Sequence, residues 1–321
     1  MLYLNDRDIR AIGFDWPALV DSVESAVRIL DSGDYAQPIK PYLRYKNLQN
    51  RIIAMPAYIG GDVSAAGIKW ISSFPGNLKS GLPRAHSIIV LNDPVTGEPS
   101  AVLNSPVPSI VRTASISGLM LRHFLEARPL GPIQLGIIGW GPIGQQHLQM
   151  ATALYGERIE RIRIFDIRGV DLSEAPPLYR DRMEAAETWA DVYQHSNIFI
   201  TCTVSDYRYI DLPPAKGSLL LNVSLRDYKP EALASVNAII VDDWDEVCRE
   251  NTDIERLYLE QGLTRAGTRM ITDVVSRRSL TEFTADEPVL FCPMGMAVFD
   301  IAIAVYYVKI ARDKGIGAEL A

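Results

Sequence analysis

Between residues 16 and 30 apolar side chains recur at helical spacing: Trp16, Leu19, Val20, Val23, Ala26, Val27 and Leu30 share one face. This predicts an amphipathic helix behind a short strand that starts near Tyr3. From residue 36 to 56 the period changes, because Pro38 and Pro41 forbid a long helix and residues 42–45 alternate around Arg44, so the stretch reads as extended. Strand-like runs follow at 65–72, 87–92 and 99–103, with the turn sequence Asp93-Pro-Val-Thr-Gly97 before the last. Ile110, Ala114, Ile116, Leu119, Met120 and Phe124 then restore the helical period over 107–125. The first region is therefore expected to be a mixed sheet with helices.

A second pattern begins at Leu135. Residues 135–138 carry no polar side chain, as suits a parallel strand covered on both faces. Gly139, Gly141 and Gly144 follow, then a helical stretch with His147, Leu148, Met150, Ala151 and Leu154 inward, then a strand over 161–165 that ends at Asp166. Further apolar runs at 198–202, 218–223, 238–241 and 289–292 extend the series. The polar, proline-bearing stretch 169–180 reads as a loop, and Asp242-Asp-Trp-Asp-Glu246 as an exposed acidic strand end. Val298, Ile301, Ala302, Ala304, Val305 and Val308 make the last helix apolar over much of its surface, so it is expected to be buried or packed on another subunit.

Three glycines spaced GxGxxG between a strand and a helix suit a bound dinucleotide. Gly139 permits a tight turn, Gly141 lets backbone approach a pyrophosphate, Gly144 lets helix pack on strand, and the helix that opens with Pro142 and Ile143 offers phosphate the first-turn N–H groups that follow the proline. Asp166 lies about twenty residues on, the usual spacing for gripping an adenosine ribose. Its charge would repel a 2'-phosphate and so favours NAD, whereas Arg168 could accept one. Ligands of such sheets sit beyond the carboxyl ends of the strands, which points Thr203, Val204, Ser205, Asn222, Ser224 and Asp227 at the cofactor cleft.

Composition narrows the partners. The chain has 321 residues, 48% of them hydrophobic and 22% charged, with a net charge of −7, which suits a globular protein of two domains and disfavours nucleic acid. Cys202, Cys248 and Cys292 are odd in number and far apart, as in a reducing cytoplasm. No zinc spacing, secretory leader or membrane-length run is visible, so a cytoplasmic protein without metal or membrane partner is expected.

In the first region Lys69 lies in Gly67-Ile-Lys-Trp-Ile71 among apolar neighbours; such a lysine either snorkels to water or meets an anion. Arg44, Arg84 and Arg112 are set in similar surroundings. Several cations together suit a substrate with more than one carboxylate. Arg112 and Thr113 also fall near a helix start, where an anion is favoured, although a surface arginine and a capping threonine would look the same. His86 could exchange protons or simply be surface, and His147 is expected to stabilise its own helix.

Taken together, Arg44 in Pro41-Tyr-Leu-Arg-Tyr45, Met55-Pro56, Lys69 in Gly-Ile-Lys, Pro75-Gly-Asn77, Gly81-Leu-Pro83, Arg112-Thr-Ala114, the Gly139 loop and Asp227 in Leu225-Arg-Asp-Tyr-Lys-Pro-Glu231 resemble the ornithine cyclodeaminase/mu-crystallin family over nearly the whole chain. The resemblance implies a Rossmann NAD-binding domain, here 116–289, and an α/β substrate-binding and dimerisation domain, here 1–115 with 290–321. It implies that Arg44, Lys69 and Arg112 bind substrate carboxylate, that Lys69 and Asp227 are catalytic, and that Arg112, Thr113, the glycine loop, Asp166 and Met296 serve NAD. Cyclodeaminases place a glutamate two residues before Met-Pro; here Ile53 stands there, which disfavours a basic diamine. The stretches 36–45, 51–56, 67–75 and 223–227 look like the branch that makes 2,3-diaminopropionate for siderophores and peptide antibiotics. Such enzymes oxidise N-(2-amino-2-carboxyethyl)-L-glutamate with NAD. A lyase that recycles its NAD, an imine reductase and a non-catalytic dinucleotide binder are the alternatives. A homodimer is expected.

Overall fold

The computed structural model describes residues 1–128 and 130–320. Pro129, in the 126–132 crossing expected between domains, and Ala321, the last residue of the expected first domain, lie outside the described residues. The chain folds as two compact units, Met1–Arg112 with the segment from Gly295 onward, and Thr113–Met294.

In the first unit β1 (Leu2–Asn5) runs into α1 (Asp6–Ile12), where the Asn5 side chain accepts the Arg7 and Asp8 N–H groups and Asp8 accepts the Asn5 N–H in return. The predicted amphipathic helix is α2 (Trp16–Ser32), capped by Asp15 and ended by Gly33 in the left-handed region. Short β2 (Tyr35–Ala36) and β3 (Tyr42–Leu43) precede the antiparallel run β4 (Arg51–Ile59), β5 (Ala65–Ser73), β6 (Ala85–Asn92) and β7 (Pro99–Asn104). Met55, Lys69 and Ile89 are in register across β4, β5 and β6 and buried on one face of the sheet. α3 (Val107–Ala127) begins in this unit and continues into the second.

The second unit alternates strand and helix: β8 (Ile133–Ile138), α4 (Pro142–Tyr155), β9 (Ile159–Phe165), β10 (Met183–Ala185), α5 (Trp189–Gln194), β11 (Ile198–Thr201), β12 (Leu219–Asn222), β13 (Ala238–Val241), α6 (Trp244–Val247), α7 (Asp253–Gln261), β14 (Arg269–Met270), α8 (Ile271–Arg277) and β15 (Val289–Cys292). The strands are parallel, in the order β10-β9-β8-β11-β12-β15-β13-β14. The order reverses at β8, whose neighbours β9 and β11 lead in opposite directions, and this opens a crevice at the strand ends. β11, β12, β13 and β15 are buried at every position, which is why they read as unbroken apolar runs. The fold is thus the expected α/β combination, with a Rossmann-type sheet as its second part.

One expectation is corrected, and of the two alternatives for the last helix the structure takes burial. The acidic run after β13 is not an exposed strand end: Asp242 and Glu246 are buried, Asp242 accepts the N–H groups of Asp243 and Met294, and Asp243 caps α6. Capping demand for carboxylates, rather than solvation, placed the charges there. The apolar last helix, α9 (Ala297–Lys314), packs against α2, β4, β5 and β6 of its own unit. Its apolarity is accounted for within one chain and carries no argument for a second subunit. The 169–180 stretch contains single 3-10 turns at Leu172–Glu174 and Pro177–Arg182, and a final β16 (Ala318–Glu319) pairs with β1.

Candidate active site

The first unit buries a carboxylate between two cations. Asp300, in the first turn of α9, gives one oxygen to Lys69 Nζ at 2.7 Å and the other to Arg112 Nε at 3.1 Å. Lys69 also donates to Ser109 Oγ at 3.3 Å. All three charged groups are buried, so the trio holds one uncompensated positive charge in the core, an arrangement that favours an anionic ligand. Burial pushes the Lys69 ammonium down to about 8; Asp300 opposes this, while Arg112 and Lys40 add to it. Lys40 is itself buried and donates to the Gly295 carbonyl at 2.9 Å. Gly295 has φ 87°, and a Cβ there would lie 2.6 Å from an Arg112 nitrogen, so glycine is required both for conformation and for the arginine.

In the second unit the three glycines separate by cause. Gly139 has φ 97° and a Cβ on it would stand 2.5 Å from the Cys202 carbonyl oxygen; one on Gly144 would stand 2.0 Å from that of Gly139. Both are glycine because the protein's own backbone passes there. At Gly141 a Cβ would meet nothing within 4 Å and φ is an ordinary −82°. Nothing in the protein excludes a side chain at Gly141, which fits a surface kept bare for a ligand. No side chain caps α4, so its first-turn N–H groups face that space, the arrangement that receives a pyrophosphate. Asp166 closes β9: its oxygens accept the N–H groups of Trp140 (2.8 Å) and Arg168 (2.9 Å), and the Arg168 guanidinium reaches both oxygens at 3.2 and 3.3 Å. Burial lifts the Asp166 carboxyl, but the bonds and charge of Arg168 with the Trp140 N–H outweigh it and leave it below the usual range. These residues fit a nicotinamide dinucleotide, with a carboxylate at the ribose position.

Asp227 is fully buried in the same unit. Its Oδ1 accepts the Thr203 hydroxyl, and its Oδ2 has no hydrogen-bond partner; a buried carboxylate oxygen left open in a native fold calls for a functional explanation. The backbone beneath it is held by Asp253, whose Oδ2 accepts the N–H groups of Asp227 (3.1 Å) and Tyr228 (3.2 Å) and the Asn222 amide (2.9 Å), while Oδ1 takes Arg208 Nε at 2.7 Å. Leu225 carries φ 66°, and the Asn222 side chain accepts its N–H. Such strain persists only where the surroundings over-determine it.

The other candidates fall as follows. Arg44 is exposed, its guanidinium 5.0 Å from the Tyr42 ring centre. Thr113 is half-buried on α3, Pro142 and Ile143 open α4, and Ser224 Oγ accepts the Thr203 N–H at 3.2 Å. Val204 is exposed, Ser205 Oγ donates to the Tyr207 carbonyl, and Met296 is buried just ahead of α9 in the first unit. His86 is exposed and, by strand alternation, on the face of β6 opposite Lys69. His147 is buried between the Ile143 carbonyl (2.8 Å) and Ser117 Oγ (2.9 Å), with burial pushing it down to about 4; it is a neutral structural bond, as expected. The cysteines are free, and burial raises the thiols of Cys202 and Cys292. Sequence reasoning passed over Asp300, Asp253 and Lys40. A lone carboxylate in the apolar Val298-Phe-Asp-Ile-Ala302 was the available signal for the first; Asp253 looks like an ordinary helix-start residue. Among the described residues no cluster suits a metal ion and no helix is long and apolar enough to cross a membrane.

The family model for the ornithine cyclodeaminase/mu-crystallin family matches residues 14–315. The chain belongs to that family. Within it, the chain is 34% identical to N-((2S)-2-amino-2-carboxyethyl)-L-glutamate dehydrogenase of Staphylococcus aureus, over 100% of this chain and 98% of that one. It is 25% identical to a Delta(1)-pyrroline-2-carboxylate reductase of Bacillus cereus over 88% of each. Its fold is that of the Thermococcus litoralis Delta(1)-pyrroline-2-carboxylate reductase solved with NADH and L-proline, with a TM-score of 0.87 at 22% identity and full coverage of both chains.

Proposed function

We propose that this protein catalyses the NAD-dependent oxidative cleavage of N-(2-amino-2-carboxyethyl)-L-glutamate to 2,3-diaminopropionate and 2-oxoglutarate, supplying a siderophore or peptide-antibiotic precursor. It is an NAD-dependent oxidoreductase acting at an amino-acid C–N bond. The observation that carries the substrate is the buried Lys69–Asp300–Arg112 trio with its one net positive charge, which suits a carboxylate taken out of water. In this reading the first unit holds the substrate through Lys69, Arg112 and Arg44, and the second holds NAD on the Gly139–Gly144 loop, Asp166 and the Thr203–Ser205 segment. Bound NAD supplies the hydride acceptor. Lys69 and Arg112 orient the substrate, and such positioning can supply several kcal/mol of the barrier. The Asp227 carboxylate takes the proton of the secondary ammonium and then that of the attacking water. We place the enzyme in the cytoplasm as a homodimer. Its support is the outer face of the first sheet, where Ile68, Ile88 and Val90 accompany Trp70, which is 42% exposed.

The test is absorbance in the NADH band after mixing protein, NAD and the glutamate adduct, with ornithine in parallel. NADH formed with the adduct alone is the expected result. Ammonia and proline from ornithine, without net NADH, would replace this reading with a cyclodeaminase. Consumption of NADH with a cyclic imine, and none made from the adduct, would replace it with a reductase.

A further inference from the structure

The proposed reaction asks one carboxylate to work twice. Oxidation removes a proton from the substrate ammonium and a hydride from the adjoining carbon, the hydride leaving as NADH. Water then adds to the C=N carbon, the C–N bond breaks, the amine departs as an ammonium, and one proton per turnover goes to solvent. Asp227 must therefore return to its ionised form between the two proton abstractions. A hydrogen-bond donor on its second oxygen favours that form each time.

The group placed to do this is Tyr209. Its backbone N–H and that of Ile210 both donate to the Asp227 carbonyl, at 3.0 and 2.9 Å, and Ile210 bridges to Tyr228, so the two segments are stitched side by side. The phenol ring is fixed by edge contacts with Trp189 (5.6 Å between centres) and Tyr207 (6.5 Å). Its hydroxyl and Asp227 Oδ2 are both buried, and neither has a hydrogen-bond partner in the structure. Burial, and then the neighbouring Asp227 carboxylate, raise the phenol above its ordinary range, so it is a proton donor that does not itself ionise. Thr203 occupies the other oxygen. The remaining titratable groups around Asp227 are Cys202 and Tyr228, both kept neutral by burial, and Asp253, which is committed to backbone N–H groups, Asn222 and Arg208.

We propose that Tyr209 is a positioning residue that donates its hydroxyl hydrogen to Oδ2 of Asp227 and holds that carboxylate ionised through both proton abstractions. The inference rests on the dehydrogenase reading above. In the full-length Y209F variant the acid limb of the kcat/KM profile moves up by about one pH unit, a tenfold change in the proton equilibrium. Turnover falls about tenfold, within the range of acid–base contributions, while NAD affinity, read by tryptophan fluorescence, stays within about twofold because the phosphate-binding loop is untouched. An unmoved acid limb with wild-type turnover would overturn the proposal. Absence of NADH from the wild-type enzyme would instead sink the reaction assignment, and the contact would still be decided by thermal unfolding. Y209F should lower the midpoint more in the wild-type background than in a D227N background; equal losses would remove the contact.

Discussion

Replacing Asp300 with Asn keeps the shape of the buried trio and removes its only negative charge. The carboxylate holds Lys69 at 2.7 Å and Arg112 at 3.1 Å, all out of water. Removing one partner of a buried ion pair costs about 3–5 kcal/mol, since the remaining charges stay buried. Part of this can be relieved by Lys69. Its ammonium already sits near 8 with Asp300 present, and without Asp300 a fall of a further one to two units, each worth about 1.4 kcal/mol, leaves the amine neutral at pH 7. The pH dependence has a definite sign. Because the folded pKa lies below that of the unfolded chain, the unfolded state binds more protons between about 8 and 10.5, and wild-type stability rises with pH across that window. In D300N the rise begins at lower pH. The difference between the two proteins is therefore greatest at pH 6 and shrinks toward pH 9, where Lys69 is largely neutral in both. Urea unfolding at pH 6 and pH 9 reads it: a penalty of about 3–5 kcal/mol at pH 6, smaller by at least about 1.4 kcal/mol at pH 9. A penalty under about 1 kcal/mol, the size of an exposed pair, or one independent of pH, would refute the picture of a buried, charge-frustrated trio.

Three further outcomes follow from the glycine loop and from Lys69. Gly144→Ala puts a methyl 2.0 Å from the Gly139 carbonyl oxygen and should cost about 1–3 kcal/mol of stability as overpacking. Gly141→Ala meets open space, so it should leave the unfolding midpoint unchanged and weaken NAD about tenfold, close to 1.4 kcal/mol; calorimetry on both variants separates the cases, and an unaltered NAD affinity in Gly141→Ala would remove the loop from the cofactor site. Substrate capture should also depend on Lys69 being charged. kcat/KM should fall by about tenfold per unit above pH 8, and a profile flat to pH 10 would show that the lysine charge is not used.

Much of the fold was legible because its signals are local. Period-two and period-3.6 patterns, Pro38 and Pro41, and apolar runs such as 198–202 depend only on how near neighbours along the chain divide between core and water. The glycine spacing belonged to the same class, since strand, turn and helix start lie within a dozen or so residues. Yet sequence alone could not say that Gly139 and Gly144 are required by the protein's own carbonyls whereas Gly141 is not; that distinction needed the backbone of Cys202 and of Gly139 itself in place.

Charge was where the chain misled. Asp242 and Glu246 looked solvated and are buried, because a carboxylate that accepts backbone N–H groups or a nearby arginine is stable out of water. Lys69 could be singled out as a lysine among apolar residues, but its partner Asp300 is 231 positions away, and Asp253 supports the Asp227 backbone from another element. Sequence determined which residues could carry charge into the core and which elements would bear them. Only the tertiary structure decided which of those charges meet, because an ion pair is set by distance in space and by the exclusion of water, and neither is written in the spacing of residues along the chain.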